Sequence, residues 1–589
     1  MGHGHPHGHD HGHDHDHHDE GRPLPAAMDA SIPDSELSPE QLSRRGILRR
    51  AGLLGAGLAG AGVLAGAGEA FAAAGNGGAV TTGTAAAVAG KPAGPGRKLL
   101  WLAGDHHIHT QYSSDAQYRV IDQVRNGVRY GLDWLVITDH GGATHARIGV
   151  EKTNPDIRAA REEIPDALVF QGLEWNIPAA EHATVFVHPG KNEVEVLKQF
   201  ETDYDGGVRG ATADTPQNEA LAIAGLDFLA EQVQRRRVQD ALMLANHPAR
   251  RGVDSPHEIR NWRDAQPSIA IGMEGAPGHQ AAGLPAPTGP GSARGYYGSS
   301  PGANSFPGYP AESYRTWGGF DWMTATVGGL WDSLLAEGKA WWITANSDSH
   351  RNYADTSARP SGGDFNSEGR YGDPVYSGAP NLTWGDYWPG QYSRTHVGAD
   401  SFSYAAVMKG MREGRVWVDH GGLISGLDAR LRAGGNGKGA GKAVGAKEVT
   451  LGGTLHVKRG SRVELVMEIA LANGPNWSQF EPTLARVDVI RGAVTGPVPD
   501  RDVFTTPDTR VVRSFDVNRS RGSVTLTYDL GPVTEPLYVR MRGTDGNRSQ
   551  PGLNGAHIDP NGPALDVVGD ADPWRDLWFY TNPMWVLPA

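Results

Sequence analysis

From Leu99 to His350 the chain alternates short β-branched or aliphatic runs with segments whose apolar residues recur at helical spacing. LLWLAGDHHIHT predicts a strand, YRVIDQVRNGVRYG a helix and LDWLVITDH a second strand. EKTNPDIRAAREEI then reads as a helix, and ALVFQGLEW and HATVFVH as strands. The helix DFLAEQVQRRRVQ leads into the strand ALMLANHP, and the helix WDSLLAEGKA into the strand WWITANSDSH. This alternation argues an α/β fold. The polar clusters follow the apolar runs, so chemistry is expected at the carboxyl ends of strands, as in barrel-type folds.

Two stretches, about 277–320 and 352–396, break the rhythm with Gly, Pro, Tyr and Trp, as in GYYGSSPGANSFPGYP and GAPNLTWGDYWPGQYS. Insertions this long inside a compact domain read as ordered lids. Beyond about residue 420 the pattern becomes period two with turn signals, in VTLGGTLHVKRGSRVELVMEIALA, ARVDVIRG, GSVTLTYDL and EPLYVRMRGTDG. That predicts a small antiparallel β-sandwich. The expected domains are therefore 99–420 and 421–589.

The first 98 residues have no such pattern. Residues 1–42 open on MGHGHPHGHDHGHDHDHHDE, a His/Gly/Asp tract that cannot pack and reads as disordered and chelating. Residues 43–72 place Ser43-Arg44-Arg45 before a weakly apolar Gly/Ala segment ending in Ala70-Phe71-Ala72, the layout of an export signal of twin-arginine type. Glycine is too frequent there for stable insertion in a bilayer. Residues 73–98 read as a flexible linker. The His-rich tract precedes the cleavage site, so it supplies no ligands to the mature chain, which is expected outside the cytoplasm with the twin-arginine machinery as a partner. Cys is 0, which closes both the disulfide and the thiol-nucleophile routes. The net charge of −13 gives no drive toward nucleic acid.

Singly, each polar cluster is weak. His107 and His109 share a strand face while His106 points opposite, yet a lone H-x-H is more often incidental than metallic. His140, Glu174, His182 and His247 each have a bland alternative as a satisfied or solvated strand-end residue. Asp348 and His350 repeat the i, i+2 relation. Together, six clusters of neutral imidazoles and carboxylates at strand ends, around a central Glu174, suit a multinuclear site for zinc, manganese or iron.

The order HHIHTQYSSD (106–115), ITDH (137–140), GLEW (172–175), HATVFVH (182–188), NHP (246–248) and SDSH (347–350) resembles the PHP (polymerase and histidinol phosphatase) family of metallohydrolases. The resemblance implies a distorted seven-stranded barrel with two or three divalent ions at one end. It implies as ligands His107, His109, Asp115, His140, Glu174, His182, His247, Asp348 and His350, with His188 a competitor for the place of His182. More loosely, YAAVMKGMREGRVWVDHG, the β-rich tail and LWFYTNPMWVL resemble a carbaryl-hydrolase-like branch in which an Ig-like module follows the barrel.

The implied activity is that of a metal-dependent phosphoesterase acting on small phosphomonoesters or phosphodiesters. A hydroxide shared between ions would be the nucleophile, with Glu174, His109 and Asp348 at the catalytic centre. Arg250, Arg251 and Arg351 directly follow ligand clusters and are candidates to clamp the phosphate. Hydrolysis of carboxylic or carbamate esters by the same hydroxide is the alternative. A non-catalytic metal-binding protein of the cell envelope is a third reading. Exchange of Arg44 and Arg45 for lysine is expected to retain the protein in the cytoplasm, measured by cell fractionation. Removal of residues 1–72 should leave specific activity unchanged.

Overall fold

A computed structural model of the chain describes residues 99–296, 302–311, 313–434, 448–546 and 572–589. The His-rich tract and the segments expected to be an export signal and a linker lie outside the described residues. Seven strands lie side by side in chain order: β1 (Leu100–Ile108), β2 (Trp134–Ile137), β3 (Leu168–Asn176), β4 (His182–Val187), β5 (Ala241–Asn246), β6 (Ala270–Ala276) and β7 (Trp342–Ala345). An eighth, β8 (Ser393–Ala399), pairs antiparallel with the free edge of β1. No backbone ladder joins β7 to β8. Instead the Thr395 hydroxyl donates to the Ala345 carbonyl (2.6 Å) and accepts from its amide (2.9 Å). Ser349, just past β7, accepts the His109 amide at 3.1 Å.

The strands are almost wholly buried, as runs covered on both faces must be. Helices α1 (Val120–Arg129), α2 (Val150–Glu163), α3 (Glu193–Tyr204), α4 (Pro216–Gln234) and α5 (Pro256–Ala265) connect β1 through β6. Two of them start on strong local signals. Ser255 and Glu258 form a reciprocal capping box with Pro256 in the first turn, and Thr215 caps α4 ahead of Pro216. The cap explains why α4 begins well before the expected segment 227–239, since the apolar periodicity marks only the second half of the helix, and the helix stops at Gln234, ahead of Arg236 with its φ of +57°.

One expectation is corrected by strand direction. HATVFVH does not carry its chemistry at its carboxyl end; His182 opens β4. β4 is antiparallel to both neighbours, with His182 opposite Asn176 and Asn246, so its amino end joins the carboxyl ends of β3 and β5. His188 falls at the opposite end, where its Nδ1 meets the Pro189 carbonyl at 2.9 Å. It cannot compete with His182.

Helix α6 (Leu330–Ala336) precedes β7, and α7 (Tyr404–Arg412) follows β8 and leads into β9 (Val416–His420), which pairs with β8. A second sheet follows, of β10 (Ile424–Ala433), β11 (Glu448–Thr450), β13 (Ser461–Leu471) and β16 (Ser523–Val533), with strand order β11-β10-β13-β16. β12 (Thr454–Val457), β14 (Leu484–Ala493), β15 (Arg510–Arg519), β17 (Leu537–Thr544), β18 (Trp578–Thr581) and β19 (Met584–Pro588) belong to the first sheet, which reaches 15 strands among the described residues. The continuity runs through β18, which pairs with β9 on one side and β17 on the other. Leu427, Leu465, Val487, Val539 and Phe579 lie in one buried apolar cluster drawn from both sheets.

A fully buried ion pair ties the two regions. Arg540 on β17 donates Nε and NH2 to the two oxygens of Asp332 on α6 at 2.8 and 2.7 Å. Asp332 also accepts from the Tyr538 hydroxyl (3.0 Å) and the Gly328 amide (2.8 Å). Asp332→Ala leaves the Arg540 charge buried and unpaired, so it should cost about 3–5 kcal/mol. The measurement is the urea midpoint; an unchanged midpoint would show that the pair does not couple the regions.

Candidate metal centre

The centre is built where β1 ends. The β1–β2 register shifts between Asp105 and Ile108, a bulge of the kind that re-aims side chains beside functional sites. His106 turns inward to the hydroxyls of Thr184 (3.2 Å) and Thr344 (2.8 Å), and burial lowers its pKa to about 4. It is a neutral core residue. His107 and His109 turn the other way, with their Nε2 atoms 2.9 Å apart. His107 Nδ1 faces Glu274 Oε1 at 2.7 Å, and His109 Nδ1 faces the Ser113 hydroxyl at 2.9 Å, which itself donates to Asp139. These outer partners place the protons on Nδ1 and leave two Nε2 lone pairs converging on one point.

Glu174, at the end of β3, is the hub. Its Oε1 lies 3.2 Å from His107 Nε2, 2.9 Å from His182 Nδ1 and 3.1 Å from His247 Nε2. Its Oε2 lies 2.7 Å from His140 Nδ1 and 3.4 Å from His109 Nε2. Asn246 adds an amide donor to Oε1 at 3.2 Å. Burial pushes this carboxyl up, but His182, His107 and His140 more than reverse it, holding the group ionised well below the usual range.

Past β7, Asp348 points Oδ1 at both His107 and His109 Nε2, 3.1 Å from each. Here too the histidines around it, His107 first, outweigh burial and keep the carboxylate ionised. His350 stacks on His109 at 3.9 Å between ring centroids and brings its Nε2 within 3.4 Å of His140 Nε2 and 3.6 Å of Asp115 Oδ1. Asp115 Oδ2 lies 3.0 Å from His140 Nε2. His107, His109, Glu174, Asp348 and His247 are buried, while Asp115 (54% exposed) and His140 (27%) form the mouth. Thus all nine expected ligand positions meet in one place.

The donor set fits divalent cations. Glu174 Oε2 and Asp348 Oδ1 are buried and accept no hydrogen bond, although ring nitrogens stand close by. Protonated rings hold these carboxylates ionised, whereas neutral rings that turn their lone pairs toward them repel unless a cation is shared. Five overlapping groupings of the described residues stand close enough to hold an ion, among them His107, His109 and Glu174; His140, Glu174 and His182; and His109, His140 and His350. His247 and Glu181 extend the second through His182.

The three expected phosphate-clamping arginines separate. Arg250 and Arg251 turn to the buried Glu181, each 3.3 Å away. Arg351 stays at the mouth, with its Nε donating to the Asp115 carbonyl at 2.9 Å. Several residues were not anticipated. Glu274 lies within a strand, AIGMEGA, that carries no cluster of its own, and Asn246 is hidden beside His247. His279 and Asp386 come from the two insertions, in GAPGHQ and TWGDYW, where nothing local marks them.

Residues 105–242 match the family model described as PHP domain. That segment carries His107, His109, Asp115, His140, Glu174 and His182, and the remaining three ligand positions follow it. Among solved structures the chain is similar to a crystal structure from Bacteroides vulgatus of a two-domain protein containing a predicted PHP-like metal-dependent phosphoesterase. The identity is 12%, covering 80% of this chain and 97% of that one, with a TM-score of 0.29. No curated protein matches.

Proposed function

We propose that the chain is an exported, metal-dependent phosphoesterase of PHP type, acting on small phosphomonoesters or phosphodiesters through a barrel over 99–420, with an Ig-like sandwich over 421–589. The observation that carries this reading is the Glu174 carboxylate, buried among five imidazoles with one oxygen unsatisfied. The PHP-domain match over residues 105–242 supports it.

His107, His109, Glu174 and Asp348 would hold one ion, His182 and His247 with Glu174 a second, and Asp115, His140 and His350 a third. Bound divalent ions supply Lewis acidity toward a phosphoryl oxygen and lower the pKa of water. The chain's own part is to fix the donors and to keep the floor dry. Glu274 and the Ser113–Asp139 pair hold the His107 and His109 rings in one tautomer and one orientation. Arg351, at the mouth beside Asp115, is the cation placed to meet a substrate phosphate as it enters. Export through the twin-arginine route accords with a cofactor inserted before translocation, and among the described residues no helix is long and apolar enough to cross a membrane.

Glu174→Ala and His107→Ala should lower bound metal, measured by elemental analysis. Turnover of an aryl phosphate should fall by more than the roughly 10–100-fold that loss of an outer partner costs. Chelator should abolish turnover and added zinc or manganese restore it. Turnover of aryl esters without turnover of aryl phosphates would overturn the phosphoesterase assignment in favour of ester or carbamate hydrolysis. Bound metal with neither activity would leave a non-catalytic metal-binding protein.

A further inference from the structure

The two insertions each send one side chain to the centre. His279 comes from the first, and its Nε2 lies 2.8 Å from Asp348 Oδ2, the oxygen opposite the one that faces His107 and His109. Asp386 comes from the second, and its Oδ1 lies 2.5 Å from His279 Nδ1. The other oxygen of Asp386 accepts the backbone amides of His350 (2.7 Å) and Arg351 (3.0 Å), which closes the turn that carries Asp348.

That turn is strained. Asp348 has φ +46° and His279 φ +56°, left-handed conformations that are costly for side chains other than glycine and persist only where the surroundings enforce them. The first insertion lies directly against the ligand: a Cβ on Gly278 would fall 2.2 Å from Asp348 Cβ and 2.3 Å from the Ser347 carbonyl. His279, His350 and Asp386 also stand close enough to hold an ion. Their donors, however, are engaged elsewhere. His350 Nδ1 meets the Asp348 carbonyl at 2.8 Å, and both nitrogens of His279 face carboxylate oxygens.

We propose that His279 and Asp386 form a brace that fixes Asp348 as a metal ligand, so that the insertions set the affinity of the ion shared by His107, His109 and Asp348. His279 and Asp386 are positioning residues. Asp386 holds the His279 ring and the backbone of the 348–351 turn, and His279 holds Asp348 Oδ2 so that Oδ1 stays aimed into the cluster. The inference rests on the metal-centre reading above and adds to it a role for chain outside the segment matched by the family model.

The test is zinc binding to the chain without residues 1–72, so that the His-rich tract takes none of the metal, stripped and titrated against a chromophoric chelator without substrate. His279→Ala should weaken one zinc by about 10–100-fold while the others are unchanged, with full stoichiometry regained at excess zinc. His279→Gln, which keeps an N–H toward Asp348, should recover most of the loss. Asp386→Asn, which retains one acceptor oxygen, should fall between and decides the matter if His279→Ala does not fold. Wild-type zinc affinity in both His279→Ala and Asp386→Asn overturns the brace and leaves the metal centre standing. A site lost from His279→Ala even at excess zinc makes His279 a direct ligand and overturns the positioning role. A wild-type chain that holds no zinc or manganese removes the proposed function itself, and the brace with it.

Discussion

Everything at this centre is arranged around one buried negative charge. Glu174 is enclosed by side chains from four strands or the loops beyond them, and its carboxylate is the common neighbour of His107, His109, His140, His182 and His247. An isolated carboxylate removed from water costs several kcal/mol, and it persists only beside cations or converging donors. The histidines keep it ionised, and their own outward-facing nitrogens are in turn held by Glu274, Ser113 and Asp139. The surrounding hydrogen-bond network is therefore the means by which a highly charged pocket is kept in a single geometry.

Much of the pattern is legible in the residues themselves. The strand-to-helix alternation places β1, β2, β3, β5 and β7 because their apolar runs are continuous and their polar clusters abrupt. Of the nine residues that meet at the centre, seven sit at or just past the carboxyl ends of these runs, while Asp115 lies further along the loop after β1 and His182 opens β4. Direction is harder to see. Nothing in HATVFVH says that it runs against its neighbours, and the choice between His182 and His188 turns on that alone. Period-two text past residue 420 marks the second sheet, whereas the return of β18 to β9 is a long-range pairing with no local trace.

The insertions were opaque for a different reason. Gly- and Pro-rich text reports turns but not where a loop lands, so the sequence marks 277–320 and 352–396 as unusual without linking His279 to Asp386. Their residues matter because His279 meets Asp348 and Asp386 accepts the His350 and Arg351 amides of a strained turn, and strain is a property of backbone geometry that composition does not encode. The arginines show the converse. Arg250, Arg251 and Arg351 look equivalent beside their motifs, but two are committed to Glu181 and only the third remains beside Asp115.

The pairing of β9 with β18 has a consequence for how the molecule is assembled in time. One edge of β9 has its partner more than 150 residues later in the chain, in a strand near the carboxyl end. Asn582, just beyond β18, also bonds the Ile343 amide and carbonyl and donates its own amide to the Val416 carbonyl, pinning β7 to β9. A ribosome delivering this chain from its amino end thus exposes nearly the whole half that carries the candidate metal centre before the segment that seals it exists. Until that segment arrives, β9 presents an open row of donors and acceptors, the kind of edge that recruits wrong partners. Completion of the centre thus waits on a strand made long after the residues that line it, and on that strand reaching β9 before another partner does.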